Sequence, residues 1–474
     1  MAARASATFA PVAGVRAFAA LAILAGCMTG PEDVDYEDVN GLPSCASAQM
    51  TSIFKATRSY IPKGSVSDRN FVTVASTADP HLYLDGPQIF PAFRELIASA
   101  KHDVALQTYV WEADSDPAND IIGGIADLAR RRAANGATSP VIVRFAFDVS
   151  TLGYGSQVDA LPKAWAAVAA LQLDPRYVQF ELAGVERTAF GALHKKTLVV
   201  DGRDAIITGA NPQAHHDYAT PWRDAGFRFS GEIAQALEDD FADTWSRAQR
   251  WTCAGDLTGE WSACSAPTTA MERLEQPLAA SDACLPMLTV TRQADPTPSN
   301  RIDNPQDQAF LAAFAAAQTS IHIQTPNLND DAAKQALIEA IQRGVTVDVV
   351  LSKGFNDDTE VLPGQGGTNE ENVQLLYDAL VAAGVTNACD KLRFRWHAQD
   401  GVAVLGNGAY ASHAKYASID DAIVIVGTAN MDTQSWNNSR EIDVIVDDAA
   451  LTQAWDAQMF DQEFANGIVV DQCN

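Results

Sequence analysis

The sequence predicts an α/β fold built from two similar domains, and three observations support this prediction. The chain has 474 residues, more than a single hydrophobic core usually serves, so two domains are the default expectation. Apolar residues at helical spacing alternate with short, continuously apolar runs, which are typical of helices and of buried strands respectively. The same alternation returns in the second half of the chain, which indicates an internal duplication.

Each expected element of the first half has its own apolar pattern. Apolar residues with a helical period predict helices over residues 89–100, 121–132 and 158–171. Continuous apolar runs predict strands over 103–110, 141–147 and 177–182. Helices and apolar strands that alternate at these lengths favour a sheet covered by helices on both faces.

The second half repeats this order of elements. Helices are expected over 310–317 and 332–342, and strands over 320–326 and 345–351. As landmarks, Gln107 corresponds to Gln324, and Asn211 corresponds to Asn430. The two pairs are separated by nearly the same length of chain, as a duplication requires.

The boundary between the repeats falls in a stretch that carries cysteines and prolines. We therefore expect an N-terminal domain at 51–251, a cysteine-containing linker at 252–304 and a C-terminal domain at 305–474. Within the last of these, Gly364, Gly366 and Gly367 lack the Lys-Ser/Thr pair of a phosphate-binding loop, so we interpret them as a flexible surface loop near the cleft.

The charge of the chain is strongly acidic, with a formal net charge of −27 and a pI near 4.5. An acidic surface repels polyanions on average, which argues against a protein that coats nucleic acid. A local basic cleft remains compatible with this balance. With 47% hydrophobic residues the composition is that of a globular protein that can bury a large core.

The first 27 residues have the pattern of a bacterial export signal. Arg4 and Arg16 precede the apolar stretch 17–25, which is too short to span a bilayer as a helix. Leu24-Ala25-Gly26-Cys27 resembles a lipobox, which implies cleavage before Cys27, lipidation of Cys27 and a tether over 28–50. The expected location is the cell envelope, on the outer membrane or facing the periplasm. A plain secretory peptide is the alternative.

The other cysteines form an even set in a chain that is expected to leave the cytoplasm, so up to three disulfides are compatible with it. The sequence does not choose among their pairings. No C-x-x-C spacing is present, and we therefore expect no structural metal site.

One motif occurs once in each half of the chain. The first copy runs from His194 and Lys196 to Asp201 in the pattern H-x-K-x4-D, and Asn211 follows it. The second copy has the same pattern and the same spacing, with the residues His413, Lys415, Asp420 and Asn430. A single copy could arise by chance, whereas two copies at matching positions of a duplication point to one shared function.

These motifs resemble the pattern H-x-K-x4-D-x6-G-S-x-N of the phospholipase D superfamily, and the resemblance covers roughly residues 80 to 465. It implies two phospholipase D-like domains, each a mixed β-sheet flanked by α-helices, related by pseudo-twofold symmetry around one active site. The second copy has Gly427-Thr428 before its asparagine. The first has Thr208-Gly209 in the opposite order, which puts a hydroxyl contact by Thr208 in doubt.

The resemblance also implies roles for the motif residues. His194 is expected to be the nucleophile that forms a phosphohistidine, and His413 the general acid and later the general base. Residues i and i+2 of a strand share a face, so each lysine should project beside its histidine. The donors expected to face the nonbridging phosphate oxygens are Lys196, Lys415, Asn211 and Asn430.

Carboxylates are expected to support this machinery. Asp224 follows His194, and Glu441 follows His413, at similar distances along the chain, and such residues orient the histidines of the family. Asp201 and Asp420 are expected to be structural at the site. His215, His216 and Asp217 could suggest a metal cluster, but we interpret them as part of a loop at the rim of the cleft.

The sequence therefore predicts phosphodiester hydrolysis or transfer on phospholipid headgroups, without metal or cofactor, by a monomeric protein with a lipid anchor in the membrane. Nucleic acid is an unlikely partner because of the acidic charge. Two alternatives stay open, a metal-independent extracytoplasmic nuclease and a lipid-binding pseudoenzyme.

Overall fold

The computed structural model describes residues 42–66, 72–74, 80–149, 159–186, 190–252, 263–264, 284–295, 297 and 301–470. The expected signal segment, the lipidation site Cys27 and most of the expected tether lie outside these residues. Within Gly41–Asn474, which forms one compact unit, no described helix has both the length and the apolar character needed to cross a bilayer.

The secondary structure alternates helices and strands as expected. The helices are α1 (Ala48–Arg58), α2 (Asp85–Ser99), α3 (Asp116–Ala134), α4 (Ala160–Ala169), α5 (Glu232–Ser246), α6 (Pro305–Ala316), α7 (Asp331–Gln342), α8 (Asp357–Glu360), α9 (Asn369–Ala382), α10 (Ala388–Lys391), α11 (Thr433–Asn437), α12 (Ala449–Trp455) and α13 (Asp461–Asn466). The strands of the first half are β1 (Val72–Val74), β2 (His81–Leu84), β3 (Asp103–Thr108), β4 (Val141–Val149), β5 (Val178–Glu186), β6 (Thr197–Val200), β7 (Asp204–Thr208), β8 (Ala225–Ser230), β9 (Arg250–Thr252) and β10 (Ala263–Cys264). Those of the second half are β11 (Pro286–Arg292), β12 (Ser320–Thr325), β13 (Thr346–Leu351), β14 (Leu392–Trp396), β15 (Ala398–Gln399), β16 (Val402–Ala403), β17 (Tyr416–Ile419), β18 (Ile423–Gly427), β19 (Glu441–Asp447) and β20 (Ile468–Val469).

The duplication is visible in two nine-stranded sheets with the same central order. In the first sheet, β5, β4 and β3 are parallel neighbours, and β6, β7 and β8 continue it as an antiparallel meander. In the second sheet, β14, β13 and β12 are parallel, and β17, β18 and β19 form the meander. The prediction of an α/β fold with two mixed sheets flanked by helices is confirmed.

Helix α3 shows how local sequence sets these elements. The side chain of Ser115 caps its first turn by accepting a hydrogen bond from the Ala118 amide at 3.2 Å. Ile121, Ile125 and Leu128 follow at helical spacing and are fully buried. The helix therefore covers one face of the first sheet with a continuous apolar stripe.

The described part of the chain has three large hydrophobic cores, and one of them joins the two halves. One lies between the first sheet and α2, α3 and α4, and another lies between the second sheet and α1, α6, α7 and α9. The third is shared, because residues of both sheets, including Phe227 and Val444, pack there with α5 and α12. This shared core fixes the two halves relative to each other and so positions the site at their junction.

The domain boundaries expected from the sequence differ from the arrangement of the strands. β11 falls in the expected linker 252–304, yet every residue of it is buried, and it pairs with β19 of the second sheet. β1 falls in the expected N-terminal domain but pairs with β11. The sequences of β1 and β11 carry no local signal of this pairing, because the strands with which they pair lie far away in sequence.

A disulfide joins Cys45 to Cys284 across a sequence separation of 239 residues. It ties the segment before α1 to the start of β11, and α1 itself packs on α6. The sequence left the pairing open, and the structure joins two cysteines that are far apart along the chain.

We expect Cys45→Ser to destabilise the protein by about 2–5 kcal/mol, because the bond closes a long loop and restricts the unfolded chain. Urea unfolding of wild type and variant measures the difference. Cys284→Ser, which removes the other half of the same bond, is the matched control and should unfold near the midpoint of the variant. An unchanged midpoint in both would contradict the stabilising role.

Candidate active site

The two motifs lie at equivalent places in the two sheets. His194 and Lys196 lie in an extended segment just before β6, and His413 and Lys415 lie in the corresponding segment before β17. The prediction that these four residues belong to strands is therefore wrong. Each lysine still lies beside its histidine: Lys196 Nζ donates to the main-chain oxygen of His194 at 2.5 Å, and Lys415 Nζ donates to that of His413.

Each histidine segment is held by the backbone of the opposite half. The amide of His194 donates to the Arg440 oxygen at 3.0 Å, and the amide of His413 donates to the Arg223 oxygen at 2.8 Å. Two parallel bridges, Leu193 with Arg440 and Arg223 with Ser412, complete the arrangement. The contacts repeat as a pseudo-twofold pair, so the junction positions both histidines in the same way.

The carboxylate partners of the histidines are exchanged between the halves. His194 Nδ1 lies 2.7 Å from Glu441 Oε1, and His413 Nδ1 lies 2.8 Å from Asp224 Oδ2. The spacing along the sequence suggested a partner within the same half in each case. A carboxylate on Nδ1 directs the Nε2 atom of each ring away from it, which fixes the tautomer and the orientation.

Both histidines line one cavity of about 240 Å³. Asn211, Asn430 and Trp222 line the same cavity. The two motifs therefore converge on one space, which a shared phosphorus atom requires. The remaining lining residues are Tyr109, Val110, Ala192, Gln213, Phe355, Asn356, Thr359, Glu360, Gln365, Asp432, Gln434, Ser435 and Ser439.

The two asparagines present different groups. Asn211 Oδ1 accepts hydrogen bonds from the Val110 amide at 3.1 Å and from the Thr108 hydroxyl at 3.3 Å, which leaves its amide nitrogen available to a ligand. Asn430 Nδ2 donates to Asp432 Oδ2 at 2.7 Å. Of the two asparagines, Asn211 therefore matches the expected role of a donor to phosphate oxygens, while the amide nitrogen of Asn430 is already held by Asp432.

The two motif aspartates lie at the ends of β6 and β17 and not in the cavity. Asp201 accepts the backbone amides of Lys101 and His102 at 2.9 and 2.7 Å. Asp420 accepts those of Gln318 and Thr319 at 2.9 and 2.7 Å. Both carboxylates join the end of a motif strand to the start of the neighbouring strand, which is a scaffold contact.

The inverted order of Thr208 and Gly209 has a steric basis. Thr428 donates its hydroxyl to Glu441 Oε2 at 2.7 Å, whereas Thr208 donates its own to the main-chain oxygen of Ala225 at 2.7 Å. A Cβ atom at Gly209 would collide with Asp224 Oδ1. Asp224, which has the shorter side chain, thus lies against Gly209. Glu441, which has the longer side chain, accepts a hydrogen bond from the Thr428 hydroxyl.

Both imidazoles have lowered pKa values. Burial lowers the pKa of His194 to about 4, with Lys196 adding to the shift and Glu441 opposing it. Burial also lowers the pKa of His413 well below its usual value, and Lys415 adds to this shift. Both rings are therefore neutral near pH 7 in the free site.

The lysines and carboxylates around them are shifted too. Burial lowers the pKa of Lys196 to about 7 and that of Lys415 to about 8. Burial raises the pKa of Asp224. Burial alone would raise the pKa of Glu441, but its contact with His194 outweighs this and lowers it. An anion bound in the cavity would favour the protonated form of every nitrogen base here.

Sequence reasoning missed His216, which it assigned to a rim loop. His216 is fully buried, its ring centroid lies 6.0 Å from that of His413, and burial lowers its pKa to about 3. His216, Asp224 and His413 bring ligand atoms within 4.8 Å of one another, an arrangement that could hold a metal ion. The backbone of His215 and His216 is helical rather than extended, and the sequence pattern carried no signal of this.

The aromatic residues near the motifs divide into two groups. Tyr109 and Trp222 line the cavity, with ring centroids 5.2 Å from His194 and 5.3 Å from His413 respectively. Trp436 is buried in the core of the second half and Trp111 in the core of the first. The intervening Lys195 points away from the cavity and forms a buried ion pair with Asp240.

A family model and a set of related sequences both match this chain. Residues 310–464 match the family model described as "Cardiolipin synthase, PLD-like domain". The chain is 24% identical to cardiolipin synthase 1 of Bacillus cereus over 372 residues, which cover 76% of this chain and 62% of that protein. It is 25% identical to cardiolipin synthase B of Escherichia coli over 409 residues, which cover 82% and 80% of the two chains.

The fold is similar to that of a solved structure, phosphatidylserine synthase of Haemophilus influenzae. The TM-score is 0.58 with 15% sequence identity, over 88% of this chain and 92% of that one. The chain spans about three fifths of the length of the Bacillus relatives that it matches. These similarities, together with two motifs that share one cavity, support the assignment of the chain to the phospholipase D superfamily.

Proposed function

We propose that this protein is a phosphodiester transferase that exchanges or hydrolyses phospholipid headgroups. The observation that carries the proposal is the pair of histidines, His194 and His413, which line one cavity and are each oriented by a carboxylate. This is the arrangement needed for a nucleophile and a proton donor on opposite sides of one phosphorus atom. The names of the similar synthases support a phospholipid as the substrate class.

The reaction has two balanced steps. In the first, Nε2 of His194 attacks the phosphorus, a P–N bond forms, the P–O bond to the headgroup alcohol breaks, and His413 gives its proton to that alcohol. In the second, His413 takes a proton from water or from an acceptor alcohol, whose oxygen forms a new P–O bond as the P–N bond breaks. The assignment of His194 as nucleophile rests on the family pattern.

The charges of the site suit this chemistry. A bound phosphodiester anion raises the pKa values of both imidazoles, so one ring can take up the proton that the first step consumes. Lys196 and Lys415 place two ammonium groups next to the histidine backbones, and the amide of Asn211 is available to a phosphate oxygen. Donors of this kind, aimed at developing charge, are worth about 2–4 kcal/mol each.

Membrane attachment through Cys27 forms part of the same proposal. The lipobox pattern supports a lipid anchor in the cell envelope, and an anchor would hold the cavity close to phospholipid headgroups. Labelling the protein in cells with a radioactive fatty acid tests it, with Cys27→Ser as the control. Label that persists in Cys27→Ser would contradict an anchor at this cysteine.

The function is tested with the full-length protein in detergent micelles that contain EDTA. Phosphatidylcholine, phosphatidylglycerol and single-stranded DNA are offered separately, and released choline, released glycerol, new phospholipids and nucleotides are measured. Headgroup release or exchange supports the proposal. Nucleotide release would support a nuclease instead, and lipid binding without turnover would support a pseudoenzyme. The same assay without EDTA is the control, and a much higher rate there would favour a metal at His216, Asp224 and His413.

The pH dependence of kcat/KM should follow the charges of the free site. The reactive form needs His413 protonated, and since burial and Lys415 hold the pKa of His413 well below its usual value, the population of this form falls as the pH rises. Lys196, with a pKa of about 7, loses its charge above neutrality and steepens the decline. We therefore expect kcat/KM to rise as the pH falls from 8 towards 5.

The control for the upper limb is Lys196→Arg, because arginine keeps its charge over this whole range. The variant should lose the extra decline above neutrality, whatever its absolute rate. A profile that is flat from pH 5 to 8 in the wild type would contradict the assignment of the protonated histidine.

A further inference from the structure

A buried imidazole next to His413 lacks a hydrogen-bonding partner. His216 is 0% exposed, and neither of its ring nitrogens has a hydrogen-bond partner in the part of the chain that the structure describes. Its Nε2 atom lies 3.9 Å from Asp224 Oδ2, which is too far for a hydrogen bond. A buried polar group without a partner costs free energy, and a ligand placed between His216 and Asp224 would recover it.

Apolar packing fixes the ring of His216 in this place. The residue ends a short 3₁₀ turn, Ala214–His216, and its ring contacts Trp222 edge-on at a centroid distance of 5.7 Å. The ring of Phe90 lies at a centroid distance of 6.4 Å. A Cβ atom at Gly86 would collide with the main-chain oxygen of His216, so the glycine permits this close approach. Packing therefore positions the imidazole and leaves its nitrogens to a ligand.

Three ligand atoms converge at this point. His216, Asp224 and His413 each offer one atom, and these atoms all lie within 4.8 Å of one another. Ligand atoms around a tetrahedral Zn²⁺ lie about 3.3–3.6 Å apart, because each is about 2.0–2.2 Å from the metal. Asp224 Oδ2 is 2.8 Å from His413 Nδ1 and 3.9 Å from His216 Nε2. These two separations lie on either side of that range, so small side-chain movements would accommodate the ion.

The chemistry of these ligands selects the kind of ion. Imidazole nitrogens suit Zn²⁺ and neighbouring transition metals, whereas Mg²⁺ and Ca²⁺ prefer oxygen ligands. Asp224 supplies the negative charge, and Lys196 and Lys415 lie close enough to interact with that charge. Since the two ammonium groups oppose a further cation, we expect micromolar rather than nanomolar affinity for Zn²⁺.

We propose that His216, Asp224 and His413 form an inhibitory site for a divalent transition-metal ion that prefers nitrogen ligands, such as Zn²⁺. The inhibition rests on the proposed function, because the ion binds the residue that acts as general acid. Nδ1 of neutral His413 binds the ion, its proton moves to Nε2, and Asp224 Oδ2 exchanges that proton for the ion. Both ring nitrogens are then occupied, so His413 can take up no further proton. His194 and Glu441 are not involved.

Metal binding is measured on the full-length protein in detergent, after treatment with EDTA and dialysis. Zn²⁺ is titrated by calorimetry, and Co²⁺ serves as a coloured substitute. His216→Phe keeps an aromatic ring but has no ligand atom. Loss of a group that merely supports a metal ligand costs about 10–100-fold in affinity, so loss of a ligand should weaken Zn²⁺ binding at least about tenfold. His216→Gln is a second replacement, and circular dichroism shows whether each variant is folded. Equal Zn²⁺ binding by the wild type and both variants would overturn the site.

The matched control is His322→Gln. His322, Asp421 and Asp456 form another group of described residues whose ligand atoms lie close enough together to hold a metal ion. The control therefore separates two places at which Zn²⁺ could bind. His322→Gln should keep the wild-type inhibition, and both His216 variants should lose it. Inhibition that is lost in His322→Gln and kept in the His216 variants would overturn the proposal.

Headgroup release or exchange is then measured at increasing Zn²⁺, and each variant is compared with its own rate in EDTA. We expect Zn²⁺ to inhibit the wild type over the concentrations at which it binds, and excess EDTA to restore the rate. Half inhibition of His216→Phe should need at least about tenfold more Zn²⁺. Activation of the wild type by Zn²⁺ would overturn the proposal and indicate a catalytic metal. If no phospholipid is turned over, the proposed activity alone fails, and Zn²⁺ binding that depends on His216 still supports the metal site.

Discussion

His194→Ala should lower phosphodiester turnover by about 10⁴-fold or more, because it removes the atom that forms the covalent bond to phosphorus. A substrate labelled in its phosphate should leave an acid-labile label on the wild type after rapid quenching. The same label should be missing from His194→Ala. Turnover and label are two independent readouts of one atom, so both must disappear together.

The matched control is His102→Ala, which removes an exposed imidazole away from the cavity. It should keep wild-type rates and wild-type labelling. His413→Ala separates the two roles, because a nucleophile without its acid should still acquire label, only slowly. Label on His194→Ala together with none on His413→Ala would reverse the assignment of the two histidines.

Glu441→Gln should lower kcat by about 10²–10⁴-fold although Glu441 follows the second motif in sequence. Its carboxylate holds Nδ1 of His194, and an amide in its place permits the wrong tautomer of the ring, the kind of loss known from serine protease triads. The variant should fold normally, since the side chain keeps its size and its contacts with Thr428 and Ser435 are polar. Steady-state kinetics together with the rate of labelling measure the effect.

The diagnostic outcome is the step that is lost. If Glu441 acts through His194, labelling slows as much as turnover does, and Asp224→Asn, which acts on His413, slows turnover more than labelling. Glu339→Gln changes an exposed glutamate of α7 and should alter neither. Equal effects of Glu441→Gln and Asp224→Asn on labelling would argue against the exchange of partners.

The order of elements could be predicted from the sequence because each element has a local cause. The stripe of Ile121, Ile125 and Leu128 is sufficient to indicate α3, and the largely apolar run of β4 is sufficient to indicate a buried strand. The positions of β1 and β11 could not be predicted in this way. Their place in the second sheet depends on pairing across a long separation, and no local pattern encodes the partner of a strand.

The residues of the site were predictable, but their partners were not. A repeated spacing identifies His194 and His413, since chemistry requires those residue types. The exchange of Asp224 and Glu441, the orientation of the Asn430 amide and the burial of His216 all depend on how two halves meet. These features arise from tertiary packing, so a pattern along one chain segment does not contain them.

Each half supplies the carboxylate that contacts the catalytic imidazole of the other half, so catalysis requires both halves. If the chain were cut between the repeats, either fragment would keep a complete motif and yet lack the carboxylate that steers it. Activity should then return only on reassembly, and with second-order dependence on fragment concentration. A substitution in one repeat must preserve the contacts with the histidine and carboxylate of the other repeat. We therefore expect the two repeats to evolve together.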